Sequence, residues 1–241
     1  MNKKIIAMIP ARLGSHRLKY KNLSLIGKYP LIYYAINAAI KSKIFHKIVL
    51  NSDNILFEKI SNRYGVEFYL RPKKLGNSYT KSDDLVYDFM RIYENYDITV
   101  WINPISPLMN YQNIQDTINF FIKKRLDSLI TTNQKKVHAS IGLKPINFNR
   151  YTKFSLTQSL KGIELFNYSL MMWKTKKFFN SYKNNKYAFF CGKFSTFELP
   201  DYCSIIIKNK YDLLLATKYI SSLNNIEKYK VSYDRILNEK K

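Results

Sequence analysis

The sequence predicts an α/β fold built on a mostly parallel sheet, and three observations carry that reading. Short apolar runs alternate with helix-patterned stretches from residue 4 to about residue 135. The first run, Lys4 to Ile9, is almost wholly apolar and stops at Pro10, as a buried strand does. Stop signals fall between the segments: Gly65 closes one helix and Arg71-Pro72 ends one strand.

Taken in order, Lys4 to Ile9 is the first strand and Ala11 to Lys21 a polar loop. Pro30 suits the first turn of a helix through Leu31 to Ile40. Ile44 to Leu50 reads as a strand, Ile55 to Tyr64 as a helix, and Val66 to Leu70 as a third strand. Leu85 to Tyr93 lies in a helix with Asp83 or Asp84 near its start, where negative charge opposes the dipole. Ile98 to Ile102 is a strand, Tyr111 to Lys124 a helix, and Ser128 to Thr132 a fifth strand. The rhythm then changes. Val137 to Tyr168 is polar, with Pro and Gly and no helical pattern. Leu170 to Trp173, Phe194 to Leu199 and Ser204 to Ile207 read as strands, and Tyr211 to Leu223 as an amphipathic helix. The tail from Glu227 is polar and expected to be marginally ordered.

Composition narrows the function. The 241 residues are 46% hydrophobic and 24% charged, which excludes a disordered chain. The net charge of +23 raises polyanions as partners: nucleic acid, acidic membrane or a phosphate-rich substrate. The excess is mostly Lys in a chain rich in Asn, Ile, Tyr and Phe, a pattern that AT-rich coding produces by itself. The charges are spread along the chain, so no specific nucleic-acid site is expected. The apolar runs fall short of the roughly 18 residues of a membrane span, so no membrane insertion is expected. The start of the chain does not read as a secretory signal, and Cys191 and Cys203 sit in no zinc pattern; both fit a reduced, cytoplasmic setting.

The most informative stretch is the loop after the first strand. Gly14 and Ser15 offer backbone N–H groups, and Arg12, Arg17, Lys19 and Lys21 offer positive side chains. In open α/β sheets ligands lie beyond the C-terminal ends of strands, and such a loop is suited to phosphate. It lacks the Gly-Lys-Ser/Thr ending of a Walker loop and the three-glycine spacing of a dinucleotide site.

The run Ile9-Pro10-Ala11-Arg12-Leu13-Gly14-Ser15, with Lys21-Asn22, Gly27-Lys28 and Pro30-Leu31-Ile32, resembles the CMP-sugar synthetases, the acylneuraminate cytidylyltransferases and their relatives. Leu50-Asn51-Ser52-Asp53, Arg71-Pro72, Asn103-Pro104-Ile105-Ser106-Pro107-Leu108 and Asp212-Leu213-Leu214-Leu215-Ala216 continue the resemblance in order. It covers residues 4 to 135 closely and 155 to 220 loosely. It implies one Rossmann-like nucleotidyltransferase domain over residues 1–241, with 137–173 as an extended dimerisation arm. It also implies transfer of CMP from CTP to a nonulosonic-type sugar acid, with release of pyrophosphate, in a homodimer. By that resemblance Arg12 and Lys21 are the catalytic positions. Ala11, Gly14, Ser15 and Asn22 complete the nucleotide cradle, Arg71 and Ser82 lie near the cytidine, and Asn103 and Gln158 meet the sugar. Asn103 also reads as a turn residue before Pro104, and Asp53 as either a site residue or a helix cap. Asn167 matches the family's asparagine after the arm.

The sequence departs from the family in places. The two acidic residues that hold magnesium before the last helix fall on Ile206 and Lys208, and no Asp or Glu lies between Ser204 and Lys210. The protein ligands of a metal are therefore unknown, and the Mg2+ that the resemblance implies is expected to be held mainly by the CTP phosphates. His16 replaces a Lys, Gly76-Asn77-Ser78 replaces an Ala-x-Asp segment, and Met109 an Arg. A catalytically degenerate relative, or an enzyme for an unusual acceptor, is the competing reading.

Overall fold

The computed structural model describes residues 3–15, 17–223 and 230–232. Seven strands form the central sheet: β1 (Ile5–Ala11), β2 (Lys47–Ser52), β3 (Glu67–Leu70), β4 (Ile98–Ile102), β5 (Ser128–Lys135), β6 (Ile163–Lys174) and β7 (Phe194–Glu198). Their spatial order is β7-β5-β6-β4-β1-β2-β3. Every pair is parallel except the two that β6 makes with β4 and β5. The helices are α1 (Leu31–Ser42), α2 (Leu56–Tyr64), α3 (Ser82–Ile92), α4 (Tyr111–Lys123), α5 (Thr175–Asn185) and α6 (Lys210–Leu223).

Alternation along β1 explains the three layers. Ile5, Ala7, Ile9 and Ala11 join the core under α1, α2 and α4, with Ile36, Phe57, Ile118 and Phe121. Ile6 and Met8 point the other way, to Val86, Phe89 and Phe178 of α3 and α5. A strand covered on both faces reads as one apolar run, and that is how β1 appears in the sequence. Each face also holds one free, buried cysteine: Cys203 on the first and Cys191 on the second. Burial pushes their thiols up to about 12 and about 11 respectively.

The expected elements are present with shifted ends, and three regions differ. The expected Ser204 to Ile207 strand does not form. Asp201–Ser204 is a short 3-10 turn after Pro200, and Ile207 instead donates its N–H to the Ile105 carbonyl at 2.9 Å. Pro200 follows the edge strand β7 and brings no N–H to a ladder, so the sheet stops there. Helix α5 has no counterpart in the sequence reading. Its Asn- and Lys-rich sequence is a poor helix former, and packing decides: Tyr87 of α3 stacks between Phe179 and Tyr182. The strand expected over Leu170 to Trp173 is the inner end of a twelve-residue β6 whose outer half leads into the arm region. That region carries a small hairpin, Ser140–Ile141 with Lys144–Pro145, turned at Gly142 with φ 56°. Of the tail from Glu227, only residues 230–232 are described.

Candidate active site

The chain runs from β1 outward to β2 and β3, then crosses back to β4 on the other side of β1. Such a reversal leaves a crevice at the C-terminal strand ends. A cleft of about 290 Å³ lies there, bounded by the end of β1, the 12–22 loop, the 71–82 segment and the turn after β4.

Eight of the sequence-predicted residues line this cleft: Ala11, Arg12, Ser15, Lys21, Asn22, Arg71, Ser82 and Asn103. Gly14 belongs to the same loop without lining the cleft. Gln158 lies exposed in a one-turn 3-10 segment of the arm region, outside the cleft of its own chain. His16 lies outside the described residues. Trp101, Asn77, Thr80 and Lys81 also line the cleft and were missed. Trp101 was hidden because its strand reads as plain core, yet it stands two residues before Asn103 on the same strand-turn path.

The loop is shaped locally. Tyr20 takes a left-handed conformation, φ 54°, which turns the chain into the Lys21–Leu23 3-10 segment. The Asn22 amide donates to the Arg12 carbonyl at 3.2 Å and ties the two ends of the loop together. The Asn22 Oδ1 is buried without a partner. Lys21 is pushed down to about 8, first by burial and then by the nearby charges of Arg17 and Arg12; Asp212 works the other way. The ammonium is therefore crowded with positive charge and open to an anion.

Arg71 is committed chiefly to the protein. Its Nη1 donates to the Asn51 carbonyl at 2.8 Å, and its Nη2 to the Ala11 carbonyl and Asp53 Oδ1, both at 3.0 Å. Burial lowers its pKa, against the pull of Asp53. Its Nε remains buried and unpartnered, as does the Trp101 Nε1. Asp53 is thus an ion-pair partner and not a helix cap; the Leu56 N–H at the head of α2 is met by Asn54 Oδ1 at 2.9 Å. Gly76 lies against Asp53: a Cβ there would stand 2.7 Å from the Asp53 Cβ.

The opposite wall rests on a buried polar network. Asn167, matched in the sequence to the family's asparagine after the arm, is 3% exposed and turns inward. Its amide donates to Asn133 Oδ1, and its own Oδ1 accepts from the Thr131 hydroxyl, both at 2.7 Å. Ser169 hydrogen-bonds Ser106 through their hydroxyls at 2.6 Å, and its carbonyl accepts from the Asn103 N–H at 2.9 Å. The network therefore holds the Asn103 turn in place. The Asn103 Oδ1 stands 3.5 Å from the Ile105 N–H, at the limit of a turn hydrogen bond.

A cytidylyltransferase family model matches residues 6–199. The chain belongs to the cytidylyltransferase family. An N-acylneuraminate cytidylyltransferase of Escherichia coli O18:K1:H7 is 25% identical over the whole of this chain and 58% of its own length. One from Streptococcus agalactiae serotype V is 29% identical over 57% of this chain and 34% of its own. A pseudaminic acid cytidylyltransferase of Campylobacter jejuni serotype O:2 is 32% identical over 51% of this chain and 55% of its own. The chain thus spans between a third and three-fifths of these curated relatives. Among solved structures, a CMP:2-keto-3-deoxy-manno-octonic acid synthetase complexed with CTP superposes with a TM-score of 0.68 at 13% identity, covering 91% of this chain and 99% of that one. A 4-diphosphocytidyl-2C-methyl-D-erythritol synthase from Anaerococcus prevotii reaches 0.65 at 14%, covering 92% and 100%. These two share the fold.

The residues present do not fit a divalent cation held by the protein. Among the described residues, the cleft is lined by Arg12, Lys21, Arg71 and Lys81 and by no carboxylate. No group of three or more His, Cys, Asp or Glu side chains comes together elsewhere in the described residues. Among the same residues, no helix is long and apolar enough to cross a membrane.

Proposed function

We propose that this cytidylyltransferase transfers CMP from CTP to a nonulosonic-type sugar acid and releases pyrophosphate. The observation that carries the reading is the cationic, carboxylate-free cleft at the sheet's switch point, which suits a triphosphate. In the reaction the acceptor hydroxyl oxygen bonds to the α-phosphorus, the bond to the bridging oxygen breaks, and pyrophosphate leaves with those electrons. The hydroxyl proton passes to water. The chain's task is to hold the reactants in line and to neutralise the growing charge.

In this reading Arg12, Lys21 and the backbone of Gly14 and Ser15 hold the triphosphate. The free Asn22 Oδ1 is an acceptor and suits a ribose hydroxyl better than a phosphate. Arg71 has one unpaired donor, its Nε, to offer the base, with Ser82 beside it. Asn103 faces the acid. Magnesium enters as part of the CTP complex. The work belongs in the cytoplasm, where CTP is made.

A homodimer completes the reading. The arm region exposes Leu143 at 90%, Tyr151 at 84% and Phe154 at 79%, apolar side chains that a second copy could cover. The second copy is their proposed cover, with Gln158 reaching the neighbour's acceptor pocket.

The competing reading is a nucleotide-binding relative without catalysis, and Ile206 and Lys208 favour it. The deciding assay measures pyrophosphate release from CTP and magnesium with neuraminic, legionaminic, pseudaminic and ketodeoxyoctonic acids. Release with one acid, reduced at least about 100-fold by Arg12→Ala, is expected. Silence across the acids with CTP binding retained would favour the competing reading.

A further inference from the structure

The segment that carries metal ligands in the resembled family packs against the wall of the same cleft in this chain, and brings a lysine where the family brings carboxylates. Ile207 donates its N–H to the carbonyl of Ile105, which lines the cleft. The next residue, Lys208, donates its N–H to Asp212 Oδ2 at 2.8 Å. Asp212 is close enough to act on Lys21 across the cleft rim. Lys208 is exposed, and its backbone is thus tied both to the cleft wall and to the surroundings of Lys21.

The carboxylates nearby are already in use. Asp212 Oδ2 accepts from the Lys208 and Asn209 N–H groups, while Asn209 Oδ1 accepts from those of Tyr211 and Asp212; this reciprocal cap starts α6. Asp53 is held by Arg71, and Asp201 by Lys135 at 2.7 Å. Each is thus engaged through one oxygen, Asp212 Oδ2 with the start of its own helix and Asp53 Oδ1 and Asp201 Oδ1 with cations. A divalent cation placed at the rim would also meet the positive charge of Lys21.

The geometry points to a triphosphate site neutralised by the chain's own cations, with Lys208 joining Arg12 and Lys21 as a phosphate-binding residue in place of a protein-held metal. This rests on the nucleotide reading above. The site takes CTP as the free tetra-anion as well as in its magnesium complex, so magnesium is not required for the nucleotide to bind.

Isothermal titration with CTP and with CMP, in magnesium and in EDTA, tests this on the whole protein. CTP affinity in EDTA is expected to stay within about threefold of that in magnesium. Lys208→Ala is expected to weaken CTP in EDTA about tenfold and CMP less than about twofold, because only the longer phosphate chain reaches residue 208. Lys208 is exposed, so the variant is expected to fold. Loss of CTP binding in EDTA by more than about 30-fold overturns the proposal alone. So does a Lys208→Ala variant that binds CTP unchanged or weakens both nucleotides equally. Absence of CTP binding under both conditions removes the nucleotide reading and this proposal with it.

Discussion

Arg71 and Asp53 pair at 3.0 Å at the edge of the cleft, with the arginine side chain 3% exposed and the aspartate 21%. The pair joins the ends of three neighbouring strands, because the same guanidinium also holds carbonyls in the last residue of β1 and in β2. A residue that reads in sequence as a base contact is therefore first a structural clasp.

Replacing it should show as instability before it shows as lost activity. Arg71→Ala leaves a half-buried carboxylate and two carbonyls without their donor. Urea unfolding should register a loss of about 3 kcal/mol. A loss under about 1 kcal/mol would mean that water re-enters and the clasp is minor.

Lys21 gives the cleft a pH signature. Burial, then the charges of Arg17 and Arg12, push its ammonium down from the usual 10.5 to about 8. If Lys21 holds the triphosphate as proposed, CTP needs the charged form, so affinity should be highest below pH 8 and fall as pH rises through that value. Lys21→Arg, which stays charged, should flatten the fall. The stability term has its own sign: between about pH 8 and 10.5 the unfolded chain binds the extra proton, so this residue's contribution to stability rises with pH there. CTP titrations from pH 7 to 9.5 on both proteins make the check, and a profile shared by the two would refute it.

Thr131 is the hinge of the buried network behind Asn103. Its hydroxyl meets Asn167 Oδ1 at 2.7 Å and both backbone groups of Leu170 at 3.0 Å. Thr131→Val keeps the shape and strands those groups, at a cost of about 1–3 kcal/mol. The KM for the acid acceptor should rise while the KM for CTP holds, since the network backs only the acceptor wall. Equal changes in both would argue against that division.

The arm predicts the assembly state. Sedimentation equilibrium of the wild-type chain at micromolar concentration should give a dimer. Leu143→Asp combined with Phe154→Ser should shift it to monomer without loss of helix content. A monomeric wild type would leave the exposed Leu143 and Phe154 to another partner.

Much of this was legible because local signals and tertiary packing agree. Strand β1 and the 11–22 loop are read directly: a strand covered on both faces must be apolar, and the basic loop beyond it lies at the C-terminal strand ends and lines the cleft. The pairing of Asp53 with Arg71 is not legible, because it joins residues 18 apart through a crossover whose geometry only the folded sheet fixes. Helix α5 was missed because its Asn and Lys residues speak against helix, and only the stacking of Phe179 and Tyr182 on Tyr87 forms it. The false strand at Ser204 to Ile207 came from three adjacent isoleucines, Ile205, Ile206 and Ile207. Ile207 is buried under α6 with Ala216, so the apolar run marks a packing site and not a ladder.

The two cysteines, one on each side of the sheet, have a use of their own. Neither thiol forms the reactive thiolate at neutral pH while it stays buried. An alkylating reagent therefore marks only molecules that have opened. Modification of Cys203 clocks the layer of α1, α2 and α4, and modification of Cys191 the layer of α3 and α5. Mass spectrometry of the two peptides would tell whether the two layers come apart together or one at a time.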